Sequence, residues 1–117
     1  MAQGHVYTPA KTMNYERDVA GCYLAAGGLA QSTYEGPVQI HIELERPIPS
    51  SWKKYRRANP GPCTVGQDID NVAKSILDGL KGVAYKSDSQ VDYLSVSKEW
   101  GPTWAAYVTL ETDDGPE

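Results

Sequence analysis

Residues 68–80, DIDNVAKSILDGL, decide the fold because they hold the clearest periodic pattern in the chain. Their apolar side chains recur every three or four positions, which places them on one face of an α-helix: Ile69, Val72, Ala73, Ile76, Leu77 and Leu80. Asp68 stands at the N-cap position, and Gly82 follows the last apolar residue as at a helix end. The sequence therefore predicts an amphipathic helix whose apolar face packs into a core.

Two further elements are predicted before this helix. Residues 9–29 carry an apolar stripe at helical spacing, with Pro9 at its entry and Gly27 at its stop. Residues 38–45 alternate strictly between apolar and polar side chains, which is typical of a strand with one buried face. This part of the chain is therefore expected to contribute one helix and one strand.

Two strands are predicted after the helix. Residues 91–100 and 104–112 have strand composition, and the turn residues Gly101 and Pro102 between them indicate a β-hairpin. The element order is then helix, strand, loop, helix, strand, strand. We therefore predict an α+β fold, a two-layer sandwich in which a small mixed sheet packs against two main helices.

Length and composition restrict the class of protein. The 117 residues suit one compact domain, predicted at residues 1–112, followed by an acidic tail at residues 113–117. The start of the chain does not have the pattern of a secretory signal, and nothing in the sequence predicts a membrane partner or an organic cofactor. Cys22 and Cys63 lack the spacing of a zinc site, so we expect reduced thiols in a cytoplasmic protein.

The net charge of −4 conceals an uneven distribution of charge. Residues 46–67, which we call the basic loop, are rich in proline and glycine, contain no acidic residue, and have a predicted helical turn near residues 51–57. Aromatic side chains alternate with cations there, a mixture suited to phosphate contact and base or sugar stacking: Trp52, Lys53, Lys54, Tyr55, Arg56 and Arg57. The alternative is an ordinary solvated surface.

Acidic side chains gather at the start of the helix of residues 68–80. If the chain ran nearly extended along the helix over the six positions from Gly82 to Asp88, its reach of at most about 20 Å would match the rise of about 18 Å from Asp70 to Gly82. Asp68, Asp70 and Asp88 would then converge on a hard cation such as Mg²⁺, which prefers oxygen ligands. Lys74, one turn away, would stabilise negative charge developing on a phosphodiester.

A structural interpretation of the same residues stays open. Asp68 would serve as an N-cap, and Asp70 would complement the helix dipole. Asp70 and Lys74 would form an ordinary ion pair four residues apart, and Asp88 would be a turn residue. Helix caps are far commoner than metal sites.

These residues resemble the RusA family of Holliday junction resolvases. The segments 68–74 (DIDNVAK), 77–80 (LDGL) and 88–91 (DSQV) match the family pattern DxDNxxKxxxDxL…DDxQV in order and spacing. Upstream, residues 7–9 (YTP) and 47–52 (PIPSSW) are similar to phage and prophage members. The resemblance covers most of residues 5–110.

The resemblance implies a RusA-like fold and a homodimeric endonuclease that depends on Mg²⁺ or Mn²⁺ and cuts four-way DNA junctions by paired nicks. Asp68, Asp70 and Asp88 match the metal-binding catalytic acids, and Lys74 matches the catalytic lysine. Supporting roles fall to three further motif positions: Asn71, Asp78 and Gln90. The implied setting is the nucleoid of a bacterium or a phage-infected cell, and the implied partner is branched DNA.

Two departures from the family pattern support a second hypothesis. Ser87 stands where the family often has the first of two paired acids. The N-terminus is also short, so we expect the strand that usually precedes the region of Tyr7 to be missing, leaving a sheet edge exposed. The second hypothesis is therefore a catalytically weak or inactive protein of the same fold that binds DNA junctions.

Overall fold

The fold comes from a computed structural model, which describes residues 2–7, 15–25, 27, 30, 33–66 and 68–112. The elements in chain order are β1 (Ala2–Tyr7), α1 (Tyr15–Ala25), β2 (Val38–Arg46), α2 (Lys54–Ala58), α3 (Ile69–Leu80), a 3-10 helix (Asp88–Gln90), β3 (Val91–Trp100) and β4 (Ala105–Thr112). These helices and strands confirm the predicted α+β class. No helix among the described residues is long and apolar enough to cross a membrane.

The sheet has four strands in the order β1-β4-β2-β3. β2 lies inside it and pairs in parallel with β3 and antiparallel with β4, which in turn pairs antiparallel with β1. The apolar half of the β2 alternation is buried: Val38, Ile40, Ile42 and Leu44. The half-buried strand and the mixed sheet predicted from the sequence are therefore confirmed.

The predicted hairpin between β3 and β4 is wrong. Ile42 of β2 pairs with Val96 of β3 on one side and with Val108 of β4 on the other, so β2 separates the two strands. The backbone N–H of Gly101 donates to the carbonyl of Arg46 at 3.0 Å, where the chain crosses the end of β2. Turn residues mark a reversal of chain direction, and both a hairpin and a link over one intervening strand produce such a reversal.

The predicted lack of an N-terminal strand is also wrong. Residues Ala2–Tyr7 form β1, which pairs along β4 with His5 opposite Val108. β1 therefore covers the edge of β4 that would otherwise expose unpaired backbone groups. Its sequence, AQGHVY, contains a glycine and lacks a clear apolar alternation, so the residue pattern does not predict a strand there. The strand is recognised only from its pairing with β4.

The core lies between the sheet and the two longer helices. Val19 and Tyr23 of α1 are buried with Ile76 and Leu80 of α3 in one apolar cluster, together with the inner face of β2. The bounds of α3 agree with the prediction. α1 is shorter than the predicted helix of residues 9–29, and several of the remaining positions lie outside the described residues: 9–14, 26, 28 and 29. The predicted acidic tail, residues 113–117, also lies outside them.

A tight turn connects α3 to the strand that follows it. Gly82 has a φ of +85°, a conformation that glycine adopts without strain, and its N–H donates to the carbonyl of Tyr85 at 2.7 Å. Ala84 and Tyr85 are fully buried. The chain therefore folds back at the C-terminal end of α3.

The side chain of Gln90 fastens this link to the segment that precedes β2. Its Oε1 accepts from the backbone N–H groups of Lys86 (2.9 Å) and Ser87 (2.7 Å). Its Nε2 donates to the carbonyls of Tyr34 (2.8 Å) and Gly36 (2.9 Å). Both donors and both lone pairs of the amide are thus used. Gln90 therefore fixes the place of the 3-10 helix that carries Asp88.

Replacing Gln90 with methionine should test this clamp. Gln90→Met keeps the side-chain length and removes four hydrogen bonds, so we expect the free energy of unfolding to fall by about 2 to 4 kcal/mol in urea titrations. The control is Gln39→Met, at an exposed position of β2, where a change within about 0.5 kcal/mol is expected. Equal effects of the two substitutions would contradict the clamp.

Candidate active site and DNA-binding surface

The acidic residues at the start of α3 are exposed and do not cap the helix. Asp68 has the extended backbone of an N-cap, but its side chain makes no capping hydrogen bond. Asp70 accepts from the backbone N–H of Asn71 at 2.9 Å through one of its two carboxylate oxygens. The capping role considered for Asp68 is therefore not used, and both carboxylates face solvent at the same end of the helix.

Lys74 lies one turn further along α3 and points toward its C-terminal half. Its Nζ lies 3.4 Å from Oδ2 of Asp78, in an ion pair four residues apart. The Lys74 side chain is 77% exposed, so water and salt screen this pair, and pairs of this kind contribute at most about 1 kcal/mol. Lys74 can therefore leave Asp78 for a phosphate at little energetic cost.

Asp88 lies beside the C-terminal half of α3. Its Oδ1 is 3.3 Å from the hydroxyl of Tyr85, which also lies 3.0 Å from the carbonyl oxygen of Leu77. Its Oδ2 is 3.8 Å from Nζ of Lys81. Leu77 follows Asp70 by seven residues, a rise of about 10 Å along the helix.

The predicted extended return of the chain along α3 is therefore wrong. The chain turns tightly at residues 81–85, so too few residues remain for an extended path back to the start of α3. Gln90 then holds Asp88 beside the C-terminal half of the helix. Across the described part of the chain, no three His, Cys, Asp or Glu side chains form a group that could hold a metal ion. The structure thus separates Asp88 from the two acids at the start of the helix.

Tyr85 connects the acidic side chains of this region. Burial of its ring raises the pKa of the Tyr85 hydroxyl, and the charge and hydrogen bond of Asp88, followed by the charge of Asp78, raise it further. Asp78 and Asp88 therefore both act on one buried hydroxyl. The sequence analysis overlooked Tyr85 and Lys81, and the available signal was a large aromatic residue within a short link leading to an acid.

Ser87 has a structural role in place of the carboxylate often found in the family pattern. Its Oγ accepts from the backbone N–H of Ser89 at 3.3 Å and caps the 3-10 helix. Together with Gln90 it forms a capping box around Asp88. Serine therefore contributes to the placement of Asp88 and adds no charge.

The donor atoms along α3 suit a hard divalent cation. Asp68 and Asp70 offer exposed carboxylate oxygens at one end, and Asp78 and Asp88 offer others around the Tyr85 hydroxyl. Mg²⁺ commonly takes one or two protein carboxylates and fills its other positions with water and phosphate oxygens. Asp68 and Asp70 therefore fit such an ion by the type of their donor atoms, and Lys74 lies one turn further along the helix.

The basic loop is fastened to the C-terminal end of β3. The rings of Trp52 and Trp100 meet edge to face, with centroids 5.1 Å apart, and Nε1 of Trp100 donates to the carbonyl of Gly61 at 3.0 Å. The guanidinium of Arg56 lies 3.7 Å from the centre of the Trp52 ring. The predicted helical turn is present as α2.

The cations predicted to contact DNA are all exposed: Lys53, Lys54, Arg56 and Arg57. Trp52, predicted to belong to the same surface, is only half-exposed, and its ring packs between Arg56 and Trp100. The basic loop therefore presents a cationic face that Trp52 supports from beneath.

The raised pKa of Tyr85 predicts how stability depends on pH. The folded protein keeps the hydroxyl proton above the ordinary tyrosine pKa of about 10, whereas the unfolded chain releases it. The extra stability is complete below about pH 10 and is lost as the pH rises further. In urea titrations from pH 8 to 11, the native chain should lose more stability than Tyr85→Phe, by up to about 1.4 kcal/mol per pH unit above pH 10. Parallel pH profiles would contradict this assignment.

Comparisons with known proteins show the family to which the chain belongs. A sequence model of the family described as Endodeoxyribonuclease RusA matches residues 1–111, from β1 to all but the last residue of β4. The uncharacterized protein YqaN of Bacillus subtilis (strain 168) is 35% identical over 100 residues, which cover 80% of this chain and 69% of YqaN. The resemblance inferred from the acidic motif is thereby confirmed. The chain belongs to the RusA family of endodeoxyribonucleases.

Proposed function

We propose that this protein is a divalent-metal-dependent endonuclease that resolves four-way DNA junctions by paired phosphodiester hydrolysis. The observation that carries the proposal is the row of acids and lysines along α3, with Asp70, Lys74 and Asp78 on the helix and Asp88 beside it. Family membership supports the nuclease class. The row supplies both the oxygen ligands and the cation that phosphodiester hydrolysis needs.

Asp68, Asp70 and Asp88 are the proposed metal ligands, for Mg²⁺ or Mn²⁺. When bound, such an ion lowers the pKa of a water molecule and neutralises charge on the phosphate. An ion held by all three acids requires residues 87–88 to shift toward the start of α3, against the hydrogen bonds of Gln90. An ion held by Asp68 and Asp70 alone requires no such shift.

Lys74 is the proposed catalytic cation. Its weak pair with Asp78 holds the ammonium beside α3, C-terminal to Asp68 and Asp70. A phosphodiester placed there would draw Lys74 away from Asp78 and gain a positive charge beside its developing oxyanion. Asp78 thus orients Lys74, the backbone N–H of Asn71 orients Asp70, and Gln90 fixes the segment that carries Asp88.

Branched DNA and a second copy of the chain are the proposed partners. A four-way junction has two-fold symmetry, so paired nicks require two symmetrically placed sites, as in a homodimer. Exposed cations of the basic loop would contact the DNA backbone: Lys53, Lys54, Arg56 and Arg57.

A second candidate, a protein that binds junctions and cuts them slowly or not at all, is favoured by one observation. Asp88 lies beside the far half of α3, away from Asp68 and Asp70, and its neighbour Ser87 adds no carboxylate. A chain with this arrangement would keep the basic loop and therefore bind DNA.

Cleavage of a synthetic four-way junction separates the two candidates. With Mg²⁺ or Mn²⁺ the native protein should nick opposite strands symmetrically, and Asp70→Asn or Lys74→Met should slow nicking by roughly 100-fold or more, because each removes a charge that acts on the phosphate. The control is Asp92→Asn, at an exposed acid of β3, which should cut at the native rate.

Binding without nicking would support the second candidate. Nicking that needs no divalent ion, or that survives Asp70→Asn at full rate, would contradict the proposed mechanism.

A further inference from the structure

Tyr55 is the most exposed large hydrophobic side chain among those described. Its side chain is 80% exposed, compared with 51% for Tyr93, the next most exposed. Exposing a tyrosine ring to water in this way gives up the favourable burial of its apolar face. The Tyr55 ring is therefore accessible to a partner.

The charged residues next to Tyr55 in the chain are all positive. Lys53 and Lys54 precede it, Arg56 and Arg57 follow it, and all four are exposed. The basic loop contains no acidic residue. Such a surface attracts a polyanion, and it disfavours an apolar partner that carries no acidic groups.

The backbone at Tyr55 is firmly held. Asn59 donates to the Tyr55 carbonyl through both its backbone N–H (3.0 Å) and its side-chain Nδ2 (3.1 Å). The N–H of Arg57 donates to the carbonyl of Lys53 at 2.9 Å. Helix α2 buries none of its own residues, yet the ring of Trp52 beneath Arg56 ties it to the domain.

Trp52 and Tyr55 therefore differ in role, although the sequence pattern does not distinguish them. The Trp52 ring is contacted by Arg56 over its face and by Trp100 in an edge-to-face arrangement, so part of its surface is already covered. Tyr55 has a face open to solvent. A flat molecule arriving at the basic loop meets Tyr55 first.

We propose that Tyr55 stacks on an unpaired base of branched DNA while the neighbouring cations hold the flanking phosphates. This inference rests on the proposed function and adds a base-contacting residue to it. Bases inside a duplex already stack on their neighbours, so a base face is open to Tyr55 where strands separate or exchange. The occupant of this surface is thus DNA with an unstacked base.

The test measures binding without cleavage. A junction that carries 2-aminopurine at its branch point, and a linear duplex of the same sequence, are titrated in EDTA and followed by anisotropy and by 2-aminopurine fluorescence. Tyr55→Ala should weaken junction binding between about 5-fold and about 150-fold, the range for loss of one stacked base, and should remove the fluorescence change. Tyr55→Phe should keep both, because phenylalanine retains the ring.

Two matched variants control for general effects. Tyr93→Ala removes another exposed tyrosine, roughly 23 Å along β3 from Trp100, and should leave junction binding unchanged. Arg57→Ala should weaken binding to junction and duplex alike and reduce the salt dependence, because it removes a phosphate contact. Tyr55→Ala should leave the salt dependence unaltered.

Three results would overturn the inference. Tyr55→Ala could weaken duplex and junction binding equally, could weaken neither while Arg57→Ala weakens both, or could dissociate dimers in sedimentation, which would place Tyr55 in a contact between copies. If the native protein binds no junction at all, the proposed function fails as well. Loss of the Tyr55 effect alone leaves that function intact.

Discussion

The position of Asp88 depends on one fully hydrogen-bonded side chain. The side-chain amide of Gln90 makes four hydrogen bonds, two to the segment after α3 and two to the segment before β2. The parallel pairing of β2 with β3 begins just beyond these segments. The same amide therefore connects the sheet to the segment that carries Asp88. A carboxylate held in this way is placed by the fold itself.

The buried phenol of Tyr85 adds a second constraint beneath the site. Its ring belongs to the core, and its hydroxyl reaches both α3 and the carboxylate of Asp88. Core packing and the placement of the acidic row are therefore physically connected. The basic loop is supported in a comparable way, since its Trp52 leans on Trp100 at the end of β3.

The sequence predicted those features that depend on local periodicity. The apolar spacing of Ile69 to Leu80 gave the bounds of α3, and the alternation from Val38 gave β2, because burial of one face imposes these periods. Strand adjacency is a different matter. Gly101 and Pro102 signal a reversal in direction, whereas the insertion of β2 between β3 and β4 depends on contacts distant in sequence. β1 went undetected for the same reason, since its partner is β4 at the other end of the chain.

The family was predicted correctly from the motif, whereas the geometry of the candidate site was predicted only in part. The roles of the acids, Lys74 and Gln90 stay predictions from that motif. The path from Gly82 to Asp88 was not predicted correctly, because an extended path and a tight turn are equally compatible with the length of this segment. Only the turn hydrogen bond from Gly82 to Tyr85 decides between them. The capping role of Ser87 likewise required coordinates.

Mn²⁺ titration followed by NMR tests the central claim most directly, since a paramagnetic ion broadens the amide signals of residues near it. We expect selective broadening of the amide signals of Asn71, beside Asp70, and of Ser89, beside Asp88. Broadening that is absent from both regions, or that is centred elsewhere on the protein, would contradict a metal centre along α3.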